Sequence, residues 1–198
     1  MKKIMFNDRY GLTKAVLDGT KTMTRSVIPE LLNVEYPDIS DWGLTDGGKA
    51  MITLYEGGRP TTDIFPMYQP GEVVAVSQSY KSVFEESLNY ALPRYHWLDD
   101  HIDEKGFENK MFVKASEMPH QLQITDIKVE RLQDISEEDC LKEGLIKGLL
   151  TYGYGLPGGM EVYSTPREAF ASLIDKVSGN GTWERNPYVF AYSFELVK

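Results

Sequence analysis

The chain has 198 residues, 21 Lys and Arg against 30 Asp and Glu, and a formal charge of −9. That length suits one domain, and an apolar fraction of 41% with twelve Tyr, eight Phe and three Trp excludes disorder as the default state. The single Cys140 excludes an internal disulfide, and three scattered histidines offer no zinc-ligand spacing.

In chain order, residues 3–6 read as a short strand. Residues 8–18 carry Leu12, Ala15 and Val16 at helical spacing, with Asp8 as N-cap and Gly19 just past the end. Residues 22–28 are rich in β-branched side chains and read as extended. Residues 31–70, with Pro37, Gly43, Gly47, Gly48, Gly57, Gly58 and Pro60, read as an insertion holding one hairpin with arms at 50–55 and 59–65. Pro70-Gly71 is a turn into a strand over 72–80. A second insertion, partly helical and rich in aromatics such as Tyr90, Tyr95 and Trp97, spans 81–109.

Strands are expected at 110–114 and 120–132. In the latter, Leu122 and Ile124 alternate in one phase and Ile127 and Val129 in the other, which predicts a β-bulge between Ile124 and Ile127. Ser136, followed by Glu137, Glu138 and Asp139, starts a short helix that Gly144 stops. Thr165-Pro166-Arg167-Glu168 is a full capping box, and its helix buries Phe170, Leu173, Ile174 and Val177 before Gly179. The five glycines within 148–159 lack phosphate-loop spacing and read as a mobile loop. The alternating Tyr188, Phe190, Tyr192, Phe194 and Leu196 predict a last strand with one buried face. Many strands, few helices and no βαβ rhythm give a mainly β (α+β) class: a small barrel decorated by helices and loops.

The longest apolar runs, such as Val73–Val76, are too short to cross a bilayer, so no membrane association is expected. Residues 1–8 have the charge of a leader but no apolar segment behind it, which with the lone cysteine favours a reduced, cytoplasmic protein. Residues 1–30 hold six Lys and Arg against three acids, while the remainder holds fifteen against twenty-seven. Clustered basic charge is what sequence-blind binding to a phosphate backbone needs. A local basic surface on an acidic body fits a short or monomeric anionic ligand better, or simply solubilising lysines.

The densest chemistry lies in Gly19-Thr20-Lys21-Thr22-Met23-Thr24-Arg25. If extended, it sends Lys21 and Met23 to one face and Thr22 and Thr24 to the other; a turn would converge Lys21 on Thr24. An amine beside a hydroxyl can activate a nucleophile, and Arg25 can grip an anion, or the segment is a Lys-Thr-rich turn before an ordinary strand. Glu143 sits in the last turn of its helix, where the dipole disfavours a carboxylate, so it is either held by a cation such as Lys21 or Arg25 or solvated. Trp183 and Asn186 precede the last strand, where an aromatic can stack on a base or pack the strand entry. His96, His101 and His120 have no informative partner in the sequence, and Cys140 reads as packing; neither a metal nor a cofactor is implied.

Four segments together resemble the ASCH family of PUA-like proteins, in particular its longer phage and prophage members. They are residues 19–25, Pro70-Gly71-Glu72-Val73-Val74-Ala75-Val76, residues 124–139 and Asn186-Pro187-Tyr188-Val189-Phe190. The resemblance implies a single PUA-like β-barrel over 1–198, with a cleft formed by Lys21, Thr24, Arg25, Gln78, Tyr80 and Glu143, and with Trp183 and Asn186 as further ligand contacts. It implies an RNA or modified-nucleoside partner. One branch of the family hydrolyses the acetyl amide of N(4)-acetylcytidine with a Lys, a Thr and a Glu. In that mechanism Thr24 would attack the carbonyl, Lys21 would take its proton, and Glu143 would position Lys21 or protonate the leaving amine. Where phage-type relatives carry Arg-Glu-Thr-Trp, this chain has Ser77-Gln78-Ser79-Tyr80. Three classes therefore stand: a binding module, an amidohydrolase, and a phage accessory module for a protein partner.

Overall fold

The computed structural model describes residues 1–32, 41–45, 49–56, 58–88, 99–148, 153–157 and 159–197. Strand β1 (Lys3–Ile4) leads through a 3-10 turn at Asp8–Tyr10 into helix α1 (Leu12–Leu17), and β2 (Met23–Val27) follows. A meander of β3 (Asp41–Leu44), β4 (Ala50–Glu56) and β5 (Arg59–Ile64) precedes β6 (Val73–Val76) and helix α2 (Tyr80–Ser87). Then come β7 (Gln121–Arg131), the short helix α3 (Glu137–Lys142), and the small strands β8 (Ile146–Lys147), β9 (Tyr154–Gly155) and β10 (Val162–Tyr163). Helices α4 (Pro166–Ser178) and α5 (Thr182–Arg185) lead into β11 (Tyr188–Leu196).

The principal sheet has the order β1-β6-β7-β11-β2, with β1 parallel to β6 and the other pairs antiparallel. Strands β1 and β2 are its edges, so among the described residues the sheet does not close into the expected barrel. The architecture is mixed α and β, with two further three-stranded sheets, β3-β4-β5 and β10-β9-β8.

The register of β7 against β11 explains the phase slip in the sequence. Leu122, Ile124 and Ile127 pair with Leu196, Phe194 and Tyr192, and the register shifts at Ser193/Phe194 so that Thr125 has no partner. This bulge keeps the apolar side chains of both halves of β7 on one side despite their odd spacing. They join one core with Leu12 and Val16 of α1 and with Phe170, Leu173 and Ile174 of α4. Ala50, Ile52 and Ile64 belong to that same core, so the hairpin read as an insertion packs against the principal sheet's residues. A smaller cluster of Ala75, Tyr80, Val83, Val113 and Met118 lies beneath α2.

Several expectations need correction. Gly11 is left-handed (φ 64°) and divides the helix expected over 8–18, and the capping side chain is Asn7, which accepts from the Arg9 N–H. The strand at 72–80 stops at Val76 because the Ser79 hydroxyl accepts from the Ser82 N–H and opens α2. Residues 110–114 form no strand: Lys3 Nζ takes the Met111 and Val113 carbonyls, and Asn109 caps a 3-10 turn. Part of the glycine-rich loop is β9, while residues 149–152 and 158 lie outside the described set, as do Tyr90, Tyr95, His96 and Trp97. Strand β3 adds a third strand to the hairpin expected within 31–70. Strand β11 buries both faces, Val189 and Ala191 as well as Phe190, Tyr192 and Phe194, because the Ala191 side, which Arg25 shares, is covered by Phe170 of α4.

The capping box is formed as expected: Thr165 Oγ accepts from the Glu168 N–H, and the Glu168 carboxylate accepts from the Thr165 N–H. Thr165→Ala is expected to lower stability by about 1 kcal/mol, read as a lower urea midpoint at an unchanged slope.

Candidate functional site

Lys21 is placed by the end of α1. The Thr20 and Lys21 N–H groups both donate to the Ala15 carbonyl at 2.9 Å, which folds the chain back over the helix end. The next N–H, of Thr22, donates to the Lys142 carbonyl at 2.8 Å, and Lys21 forms a single β-bridge with Glu143. On the other side, Ser136 caps α3 and Gly144, at φ 95°, turns the chain away. A Cβ on Gly144 would lie 3.1 Å from that of Lys21 and 3.3 Å from that of Ala15, so only glycine allows this approach without a shift.

Two stretches 122 residues apart thus meet in a buried ionic cluster. Lys21 Nζ donates to Glu143 Oε2 at 2.6 Å and to the Glu143 carbonyl at 2.9 Å. Arg25 Nη1 donates to Glu143 Oε1 at 2.9 Å, while its Nε and Nη2 donate to Glu130 Oε1 at 2.9 and 2.7 Å. Asp139 lies 3.6 Å from Arg25 Nη2. Lys21 is 2% exposed, Glu143 4% and Arg25 8%, so these are ions held within the protein. Phe6 and Phe170 stand beside the two cations, each with its ring centre 5.8 Å away. Burial pulls the Lys21 amine below its ordinary value, and the Glu143 carboxylate offsets part of that pull. Burial also opposes the Arg25 charge, but Glu143 and Glu130 overcome it and hold the guanidinium above its ordinary value.

Thr24 does not join the cluster. The segment is extended, so Lys21, Met23 and Arg25 alternate inward on one face while Thr24 shares the other with its β11 partner Tyr192. Its hydroxyl makes no hydrogen bond among the described residues. Nor does Tyr80 offer a face to a base: it is wholly buried, stacked on His101 at 4.1 Å, with its hydroxyl donating to Glu117 at 2.7 Å. Trp183 packs edge-on against Phe170, and its carbonyl accepts from Gln133 Nε2. Asn186 takes the left-handed conformation (φ 46°) and accepts from the Gln133 N–H through Oδ1. Both residues fasten α5 to the end of β7.

Gln78 is placed differently. It lines a cleft of about 510 Å³ between α1 and α2, together with Asp8, Thr13, Lys14, Leu17, Asp18, Ser82, Glu85 and Glu86. Its Nε2 donates to Glu86 Oε2 at 2.9 Å, and Glu86 Oε1 meets His120 Nε2 at 2.9 Å. Its Oε1 is buried with no hydrogen-bond partner among the described residues. Glu130, Asp139, Glu86 and His120 escaped the sequence reading. Glu130 was detectable only as the polar phase of a strand, and Asp139 was explained by the helix dipole.

The chain matches no family model, no curated protein and no solved structure. Among the described residues no group of three or more His, Cys, Asp or Glu could hold a metal ion, and no helix is long and apolar enough to cross a membrane. The Cys140 thiol, adjoining the cluster, is pushed up to about 12 by burial, which removes it as a nucleophile near neutral pH.

Glu143→Ala leaves two buried cations short of a partner and is expected to cost about 3–5 kcal/mol in denaturant unfolding. A pH series gives a second readout. The folded Lys21 amine sits below its unfolded value of 10.5, so between those two values the unfolded chain holds more protons and stability rises with pH. Lys21→Met is expected to flatten that rise on the approach to 10.5 from below.

Proposed function

We propose that the chain is an ASCH-type, PUA-like module that binds RNA or a modified nucleoside, with its ligand seat in the cleft between α1 and α2. In this reading the five-stranded sheet is the wall of the PUA-like barrel. The observation that carries it is Gln78: a buried side-chain amide with an unpartnered carbonyl oxygen, in a cleft of ligand size. A carboxamide can pair with the edge of a nucleobase, and leaving its acceptor unmet is costly unless a ligand supplies the N–H. The pairing of Lys21 with Glu143 supports the family reading, since both residues come from segments that carry the resemblance.

Amide hydrolysis is the second reading, and the 2.6 Å Lys21–Glu143 contact is what favours it. Against it stands Thr24, which the strand turns to the opposite face from the lysine that would take its proton. The cluster is then the anchor of the fold around the cleft.

Titration of the protein with adenosine, cytidine, guanosine and uridine, followed by amide chemical shifts, is expected to give saturable binding to at least one of them. Gln78→Ala should weaken it by on the order of tenfold, the worth of one good hydrogen bond. Unshifted spectra up to saturating nucleoside and short RNA would refute the binding reading. Acetate release from N(4)-acetylcytidine, abolished by Thr24→Ala, would establish the second.

A further inference from the structure

The walls of the cleft carry an uneven charge. Asp8, Asp18, Glu85 and Glu86 are acids, and the one base among the lining residues, Lys14, is bound to Asp18 at 2.6 Å. Lys110, from outside the lining, reaches Asp8 at 2.7 Å, and Glu86 is shared between Gln78 and His120. The Glu85 carboxylate has neither a hydrogen bond nor an ion pair among the described residues, and Glu85 is exposed. The body around the cleft is acidic as well, at −9 for the whole chain. The buried and unpartnered Gln78 Oε1 adds a polar group that seeks a donor rather than an anion.

Resting on the nucleoside-binding reading, we infer that the cleft accepts a free nucleoside and rejects its phosphorylated forms, so that neither nucleotides nor RNA are its ligands. A base brings N–H donors to Gln78, and a ribose brings hydroxyls that acidic side chains accept. A phosphate brings negative charge to a lining with more carboxylates than cations, where, among the described residues, the Glu85 carboxylate is unpaired and Lys14, the one base of the lining, is already held by Asp18. Specificity here arises from repulsion as much as from attraction.

The test compares each nucleoside that binds with its 5′-monophosphate by isothermal titration, at low and at high salt. The monophosphate is expected to bind weaker by on the order of tenfold at low salt, with the gap narrowing as salt screens the carboxylates. Asp18→Asn combined with Glu85→Gln, two exposed positions, removes two charges, releases Lys14 and should also narrow the gap. Monophosphate or short single-stranded RNA binding as tightly as the nucleoside overturns this inference and leaves the binding reading standing. Absence of binding by nucleoside and nucleotide alike overturns both. A gap that persists in the double variant and at high salt shows that shape rather than charge excludes the phosphate, and overturns the electrostatic inference.

Discussion

The contact between the Lys21 ammonium and the Glu143 carboxylate fixes where the rest of the molecule can stand. Removing ions of this size from water costs several kcal/mol each, and only close, fully hydrogen-bonded geometry offsets it. That condition is met here by both Glu143 oxygens, its carbonyl, and the Glu130 carboxylate on the far side of Arg25. Meeting it fixes the end of α1, the start of β2, the C-terminal end of β7 and the end of α3 relative to one another. A one-residue slip would turn the apolar face of a strand outward and leave these buried charges unpaired, so packing and charge enforce the same register. The cluster also settles an apparent local conflict: a carboxylate at the C-terminal end of α3 opposes the helix dipole, and two cations outweigh it.

Helix α1 separates that cluster from the cleft. Ala15 receives the chain that delivers Lys21, while Thr13, Lys14, Leu17 and Asp18 face the cleft. The opposing wall is α2, whose Glu86 ties Gln78 and His120 into one hydrogen-bonded line. One short helix of six residues therefore has two duties, and it is held in place by a turn at each end, at Gly11 and at Gly19.

How much was legible in the sequence differs by element and for physical reasons. The capping box at Thr165, the bulge in β7, the hairpin arms and the helix after Ser136 are local signals, and each formed where the residues pointed. Residues 110–114 failed because the competitor was remote: Lys3 captures the carbonyls that a neighbouring strand would have taken. Ser79 was a cap hidden behind a run of valines. At the site, Lys21, Arg25 and Glu143 were visible as charged groups in unusual settings, and the alternative of an extended segment already separated Thr24 from Lys21. Glu130 could not be found, because its meaning depends on which face of a bent strand it occupies. Tyr80 was placed in the expected cleft with the family resemblance, and its position in the sequence carries no information about the depth at which it is buried.

Thr125, the unpaired residue of the bulge, marks where β7 can change length without disturbing the charge cluster. Were Thr125 deleted, Leu122, Ile124, Ile127 and Val129 would alternate regularly, so the bulge would vanish while both apolar halves kept their side. A residue lost between Ile127 and Glu130, with Ile127 held in place, would instead swing Glu130 to the other side and strip the Arg25 guanidinium of the acceptor for two of its donors. Length variation is thus absorbed at the bulge and damaging only beyond it, in the few residues that lead to Glu130.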